Sequence, residues 1–418
     1  MTSDASTAYV WIWLPDAEAP VVAGRVDQRA DRLIFGYGRS YLERPDAISI
    51  YEPELPLRPG PIEPLPTLPA AGCLLDAGPD SWGQRVILNR LLGRAASDTS
   101  RLGDLTYLLH AGSDRIGALD FQVSPDEHVP HGTRDATLED LARAAEMLQA
   151  GEPVPPELET ALTAGSSVGG ARPKALLRDG GRRLIAKFSS LTDTYPIVRG
   201  EFLAMRMAER CGLRVAHVDL ASAGGRDVLL VERFDRTPGT GRRRMLVSAL
   251  TMLGLPETAP REASYANLVP IIRRLFADAG PTLREMFERI IFNILSGNTD
   301  DHARNHAAFW DGRALILTPA YDICPYLRGG GEATQAMIIG TDDDPYRFSQ
   351  VTGCVERAGV YGLTRAEACE IIDRQRTAID EHWDDVCQQA ELAKADRDLF
   401  HRLFPHPYAL EGYVSPAH

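Results

Sequence analysis

Between residues 8 and 60 short apolar runs recur, each closed by Gly, Pro or Asp: Tyr9-Val-Trp-Ile-Trp-Leu14, Val21-Val22, Leu33-Ile-Phe35 and Ile48-Ser-Ile-Tyr51. Runs of this length with such punctuation predict a small strand-rich unit. The proline-rich stretch from Pro53 to Pro69 predicts irregular structure, because proline removes backbone donors. Beyond it, Ser81 to Leu92 and Leu102 to His110 read as short helices, Gly112 to Gly117 as a turn, and Ala118-Leu-Asp-Phe-Gln-Val123 as a strand. Thr137 to Leu148 predicts a further helix. Thr137 can cap it, Glu139 and Asp140 suit its positive end, and Leu138, Leu141, Ala145 and Leu148 share a face.

Gly151-Glu-Pro-Val-Pro-Pro156 breaks this pattern and leads to Ala164-Gly-Ser-Ser-Val-Gly-Gly-Ala-Arg-Pro-Lys174, a small-residue loop ahead of the apolar run Ala175-Leu-Leu177. Glycine lets backbone N–H groups approach phosphate oxygens closely, although a plain turn has the same composition. No G-K-[ST] follows, so the loop is not a Walker A sequence. Arg178-Asp-Gly-Gly-Arg182 predicts a hairpin turn and Arg183-Leu-Ile-Ala-Lys-Phe188 its return strand. Lys187 on that strand either faces solvent or grips an anion. Fourteen residues later Glu201 opens a helix running from about Arg199 to Cys211, which leaves an ion pair with Lys187 open. Asp227-Val-Leu-Leu-Val231 is a β-rich run that exits into Glu232-Arg-Phe-Asp235. Downstream, Tyr265 to Phe276, Leu283 to Ser296 and Arg365 to Ala378 carry helical periodicity. Strands first and helices afterwards predict an α+β fold.

The densest chemistry follows the helix Leu283 to Ser296, in Leu295-Ser-Gly-Asn-Thr-Asp-Asp-His-Ala-Arg-Asn-His-Ala-Ala-Phe309. Asp300 and Asn305 are five residues apart, the spacing at which a protein-kinase catalytic loop places an Asp beside the acceptor hydroxyl and an Asn on Mg²⁺. Ala314-Leu-Ile-Leu-Thr318 then reads as a buried strand ending at Pro319-Ala-Tyr-Asp322, where Asp322 is a candidate second metal ligand. Taken one at a time, Asp and Asn in a polar loop also serve turns and caps.

Composition narrows the function classes. At 418 residues and 45.8 kDa the chain predicts two or three domains. No run of about 18 apolar residues is present, and Met1-Thr-Ser-Asp-Ala-Ser lacks a signal peptide's basic start, so a cytoplasmic protein without membrane contact is expected. The six cysteines form no C-x-x-C pair, which argues against a zinc ribbon, a redox motif or a disulfide framework and predicts buried apolar residues. A net charge of -13 disfavours extended nucleic-acid binding. Arg242-Arg-Arg244 is the one dense basic run and reads as a solvated loop.

With these residues in view, the chain resembles the HipA family of bacterial serine/threonine kinases, the toxins of type II toxin-antitoxin modules. Ser167-Val-Gly-Gly-Ala-Arg-Pro-Lys174 is similar to the family's Gly-rich loop, Leu184-Ile-Ala-Lys-Phe188 to its lysine strand, and Val231-Glu-Arg-Phe-Asp235 to its hinge. Asn298-Thr-Asp-Asp-His-Ala-Arg-Asn305 and Pro319-Ala-Tyr-Asp322 are similar to its catalytic and metal-binding loops. Phe35 to Ile50, Pro79-Asp-Ser-Trp-Gly83 and Gly112 to Gly117 resemble its small N-terminal domain. Arg172-Pro173 departs from members that carry Gln and an acidic residue there.

The resemblance implies a two-lobed protein-kinase-like α+β fold: an N-terminal domain over residues 1–125, a kinase N-lobe over 126–235 and a helical C-lobe over 236–418. It implies Asp300 as catalytic base and Asn305 and Asp322 as Mg²⁺ ligands. Val168, Gly169, Gly170, Ala171, Arg172, Lys174, Lys187, Glu232, Arg233, Phe234, His302, Asn305, Tyr321 and Asp322 would meet ATP, and Ser167 would be the site of autophosphorylation. Its partners would be a protein substrate, an aminoacyl-tRNA synthetase in the best-known members, and a HipB-like helix-turn-helix antitoxin through which any DNA contact would run. Two other classes share parts of this pattern: a small-molecule phosphotransferase of kinase-like fold, and an inactive kinase fold acting as a co-repressor. The N-terminal segments argue against the first, and the presence of Lys187, Asp300, Asn305 and Asp322 against the second.

Overall fold

The computed structural model describes residues 6–93, 98–131, 136–166, 172–190 and 192–415, except for the side chain of Ala164. The chain forms two compact units, the first from residues 1–192, 221–247 and 309–313, the second from 193–220, 248–308 and 314–418.

The first unit opens with the expected strands. β1 (Thr7–Ile12), β2 (Val21–Arg29), β3 (Arg32–Tyr37), β4 (Pro61–Ile62) and β5 (Leu119–Gln122) form a sheet in the order β4-β3-β2-β1-β5. β2 and β3 are longer than their apolar runs suggest, because they pair antiparallel across a tight turn from Gly24 with Tyr37 to Arg29 with Arg32. Hairpin pairing thus recruits polar residues that periodicity alone leaves out. Trp310, on the segment returning to this unit, donates from Nε1 to the carbonyl of Ser49 at 2.9 Å and meets the Tyr51 ring edge-on.

A second sheet is formed by β6 (Lys174–Asp179), β7 (Arg182–Phe188), β8 (Val218–Ala223) and β9 (Arg226–Glu232), in the order β6-β7-β9-β8. The β6/β7 hairpin turns at Gly180 and Gly181, both at positive φ, as the Asp-Gly-Gly run predicts. Ala175, Ala186, Phe188, Ala223 and Val228 of this sheet pack with Trp82, Val86, Leu141, Ala145 and Leu162 from three helices, Ser81–Leu92, Leu138–Ala150 and Pro156–Ala164. The last of these helices is hidden in the sequence by its prolines. Pro155-Pro156 reads as a break, yet a proline in the first turn loses no needed donor and starts this helix.

Helices dominate the second unit. Ala279–Leu295 begins earlier than its apolar period, since Gly280 and Pro281 occupy a first turn whose N–H groups have no intrahelical acceptor. Arg365–Gln389 starts where expected, at a capping box in which Thr364 and Glu367 satisfy each other's backbone N–H, and runs well past Ala378. The stretch Asp380-Glu-His-Trp-Asp-Asp385 masks its period, while Ile379, Val386 and Cys387 remain buried on the inner face. All six cysteines are buried as free thiols, and burial pushes Cys211 and Cys354 up to about 12 and Cys387 to about 11. Among the described residues no helix is long and apolar enough to cross a membrane.

Candidate active site

The helix Ala279–Leu295 delivers the chain into the loop that carries Asp300. Its end is fixed by Gly297, at φ 70, where a Cβ would stand 3.1 Å from the carbonyl oxygen of Leu403. Both the backbone conformation and the contact favour glycine. Asn298 then folds back on the last turn: its N–H donates to the Asn293 carbonyl at 2.9 Å and its Nδ2 to Asn293 Oδ1 at 2.9 Å.

Asp300 and Asp301 are neighbours with opposite surroundings. Asp301 is buried, accepting from Asn293 Nδ2 at 2.7 Å, from His306 Nε2 at 2.8 Å and from the Tyr265 hydroxyl. Burial works against its charge, but His306 and these donors hold the carboxyl below its ordinary range. Asp300 keeps 42% of its side chain exposed, with Arg261 Nη2 at 3.7 Å. Burial raises its pKa, Asp322 and Asp301 raise it further, and His302 and Arg261 oppose them. A partly desolvated carboxylate that can still be reached is suited to accepting a proton. Sequence reasoning did not single out Asp301, whose role depends on Tyr265 and Asn293 from separate helices.

The other loop residues gather around Asp300. A single 3₁₀ turn, Ala303–Asn305, carries Asn305, whose N–H donates to the His302 carbonyl at 2.8 Å and whose Nδ2 lies 3.5 Å from the Asp300 carbonyl. His302 Nδ1 is buried and has no hydrogen-bond partner among the described residues. Tyr321 donates from its hydroxyl to the Arg304 carbonyl at 2.8 Å and so fixes the residue before Asp322 to the residue before Asn305. Asp322 sits at φ 62, a left-handed conformation that Asp tolerates better than most residues. It is close enough to Asp300 to raise its pKa. Asn305 and Asp322 are hard oxygen donors, and two carboxylates disfavouring each other's charge suit a divalent cation that takes its remaining ligands from phosphate and water. No group of three His, Cys, Asp or Glu side chains that could hold a metal by itself occurs among the described residues.

In the first unit, half-buried Lys187 lies in mid-sheet, opposite Lys174 on one side and Leu229 on the other. Two residues expected at the nucleotide, Lys174 and Arg233, have internal partners in the structure. Lys174 is buried, and its Nζ pairs with Asp80 Oδ2 at 3.0 Å. The Arg233 guanidinium is fully buried. It holds Asp235 at 2.8 Å and Asp114 at 3.0 Å, while the backbone N–H of Arg233 donates to the Arg183 carbonyl. Asp235 is two residues from Arg233, but Asp80 and Asp114 lie far away along the chain and are not visible as partners in the sequence. Arg172 and Glu232 are half-buried, and Phe234 packs edge-on against Phe309 at 5.9 Å. Glu201, on the helix Ile197–Arg210 of the second unit, is buried. Ser167, Val168, Gly169, Gly170 and Ala171 lie outside the described residues.

A family model described as the HipA-like C-terminal domain matches residues 166–383, just over half of the chain, and one described as the HipA N-terminal domain matches residues 12–122. The chain belongs to the HipA family. Within the HipA family, the serine/threonine-protein kinase toxin HipA of Shewanella oneidensis is 30% identical over 206 residues, 43% of this chain and about half (48%) of that protein's length. The Sinorhizobium fredii protein Y4mE is 28% identical over 309 residues, covering 69% of this chain and 71% of its own. A solved chain from the Shewanella oneidensis MR-1 toxin-antitoxin complex of HipA, HipB and operator DNA superposes with a TM-score of 0.70 at 21% identity, covering 94% of each chain. The fold is therefore the kinase-like α+β fold of HipA.

Proposed function

We propose that this HipA-family chain is an ATP-dependent serine/threonine protein kinase acting as the toxin of a toxin-antitoxin module. The observation that carries the reading is the reachable, partly desolvated Asp300 carboxylate, grouped with Asn305 and Asp322 by the Tyr321 hydrogen bond. Asp300 accepts the proton of a serine hydroxyl, Asn305 and Asp322 hold Mg²⁺, and Lys187 offsets phosphate charge. The cation supplies neutralisation of the transferred phosphoryl group. Positioning does most of the rest, since phosphoryl transfer asks for little covalent chemistry from the protein. Ser167 is the candidate autophosphorylation site. A phosphate there adds about -1.5 to -2 charges beside an already anionic triphosphate, which favours loss of nucleotide.

The test is ATP-dependent labelling. Incubation with MgATP is expected to add phosphate mass at Ser167, and expression is expected to add phosphate to a cellular protein in a phosphoproteome. An aminoacyl-tRNA synthetase is the first candidate. Absence of both modifications would remove the kinase reading.

The partner in this reading is a HipB-like antitoxin, which supplies the DNA contact. Support comes from the HipA, HipB and operator complex of the Shewanella relative, together with this chain's net charge of -13. The purified chain alone is expected to show no salt-sensitive retention of duplex DNA at moderate ionic strength, and a steep salt slope would overturn the assignment.

A further inference from the structure

Lys174 and Lys187 stand directly opposite each other in the β6/β7 ladder. Residues so placed project to the same face of the sheet, where like charges repel. Only 1% of the Lys174 side chain is exposed, so its charge also requires a counter-ion. That counter-ion comes from a segment 94 residues away: Asp80 Oδ2 lies 3.0 Å from Lys174 Nζ, with 5% of its own side chain exposed.

The same carboxylate organises its surroundings. Its Oδ1 accepts from the N–H groups of Trp82 and Gly83, both at 3.1 Å, capping the helix Ser81–Leu92. Trp82 in turn donates from Nε1 to the Lys174 carbonyl at 3.0 Å, so Lys174 is held through both side chain and backbone. Gly83, one residue on, packs so closely that a Cβ would lie 1.7 Å from the Ser166 carbonyl oxygen. One turn of one helix therefore grips the chain at Lys174 and at Ser166.

We propose that Asp80 is a positioning residue for phosphoryl transfer, which through Lys174 sets the placement and charge environment of Lys187. The inference rests on the kinase reading for its consequence, but the Asp80–Lys174–Lys187 arrangement stands by itself. The small N-terminal segment Pro79-Asp-Ser-Trp-Gly83 thereby becomes part of the machinery that presents the phosphate-binding lysine.

Asp80→Asn is the informative substitution, because the amide oxygen of asparagine can keep the helix cap while the charge and the acceptor facing Lys174 are removed. The reactivity of Lys187 toward an amine-acylating reagent, followed by peptide mass spectrometry across pH, needs no enzymatic activity. With the Asp80 counter-charge removed from beside Lys174, Lys187 is expected to lose its proton at lower pH and to react severalfold faster near neutrality. The KM for ATP is expected to rise about tenfold with a smaller change in kcat, as for a displaced binding group. Adding Lys174→Met to Asp80→Asn removes the buried cation and should restore both readouts, whereas a purely structural loss would not be rescued. An unchanged Lys187 profile in Asp80→Asn, or a double variant no better than the single one, overturns the proposal. A shifted and rescued profile in a protein whose wild type does not bind ATP upholds the coupling of Asp80 to Lys187 through Lys174 and removes the kinase reading instead.

Discussion

Asp300→Asn is expected to lower phosphoryl transfer by about 10²–10⁴-fold, the range associated with a positioned general base, while the folded protein becomes more stable at neutral pH. The two effects share one cause. Burial first, then Asp322 and Asp301, raise the folded-state pKa of Asp300. A carboxyl raised in this way favours folding below its unfolded value, and that contribution disappears as pH rises through the folded value. At neutral pH the ionised group is thus a net cost, which asparagine removes. Activity of the wild type should fall on acidification at a higher pH than an ordinary Asp would give. Arg261, 3.7 Å away, is one of the charges opposing the rise, so Arg261→Gln should move that acid limb to still higher pH. Asp322→Ala should abolish transfer, through loss of a metal donor rather than of the base. Labelled substrate in either variant at wild-type rates, measured beside a thermal melt, would refute the assignment.

Asp235→Ala is expected to have the largest effect on stability, about 3–5 kcal/mol, the usual cost of stripping one partner from a buried ion pair. Asp235 lies between two buried guanidinium groups, Arg233 and Arg236, each 2.8 Å from its Oδ2, and that oxygen also accepts from the Gly117 N–H at 2.7 Å. Asp114 meets the same two arginines at 3.0 Å. Removing Asp235 leaves two arginines sharing Asp114. By contrast, disrupting the exposed Arg44–Asp46 pair should leave a urea midpoint unmoved. Burial opposes ionisation of Asp235, but the arginines overcome it and hold the carboxyl down at about 2. Its contribution should therefore be complete above about pH 4, the unfolded value, and disappear as pH falls toward 2. Urea titrations at pH 7 and pH 3 check both statements, and a midpoint for Asp235→Ala equal to wild type would contradict them.

What the sequence reveals of this molecule follows the range of the interactions involved. The β6/β7 hairpin is legible because its cause is local: alternating side chains and an Asp-Gly-Gly turn. The five-residue interval from Asp300 to Asn305 and the later Asp322 are legible for the same reason, as spacings along one chain. Which of two adjacent aspartates is buried is not legible, because Asp301 is selected by Tyr265, Asn293 and His306 in three dimensions. Lys174 and Arg233 fall into the same class. In sequence they are cations beside candidate nucleotide segments, and only folding brings Asp80 and Asp114 against them. Prolines and acidic runs obscure helices for another reason, since both are tolerated at a helix start or on a solvent face where periodicity carries no signal.

The six buried thiols make the native surface chemically silent toward cysteine reagents. A maleimide dye or spin label should find no partner until the protein opens, so the rate of thiol modification in the wild type counts opening events directly. The same silence makes this chain a ready host for spectroscopy. One cysteine introduced at an exposed position such as Glu262 should accept a single probe, with no background to subtract from the native sites.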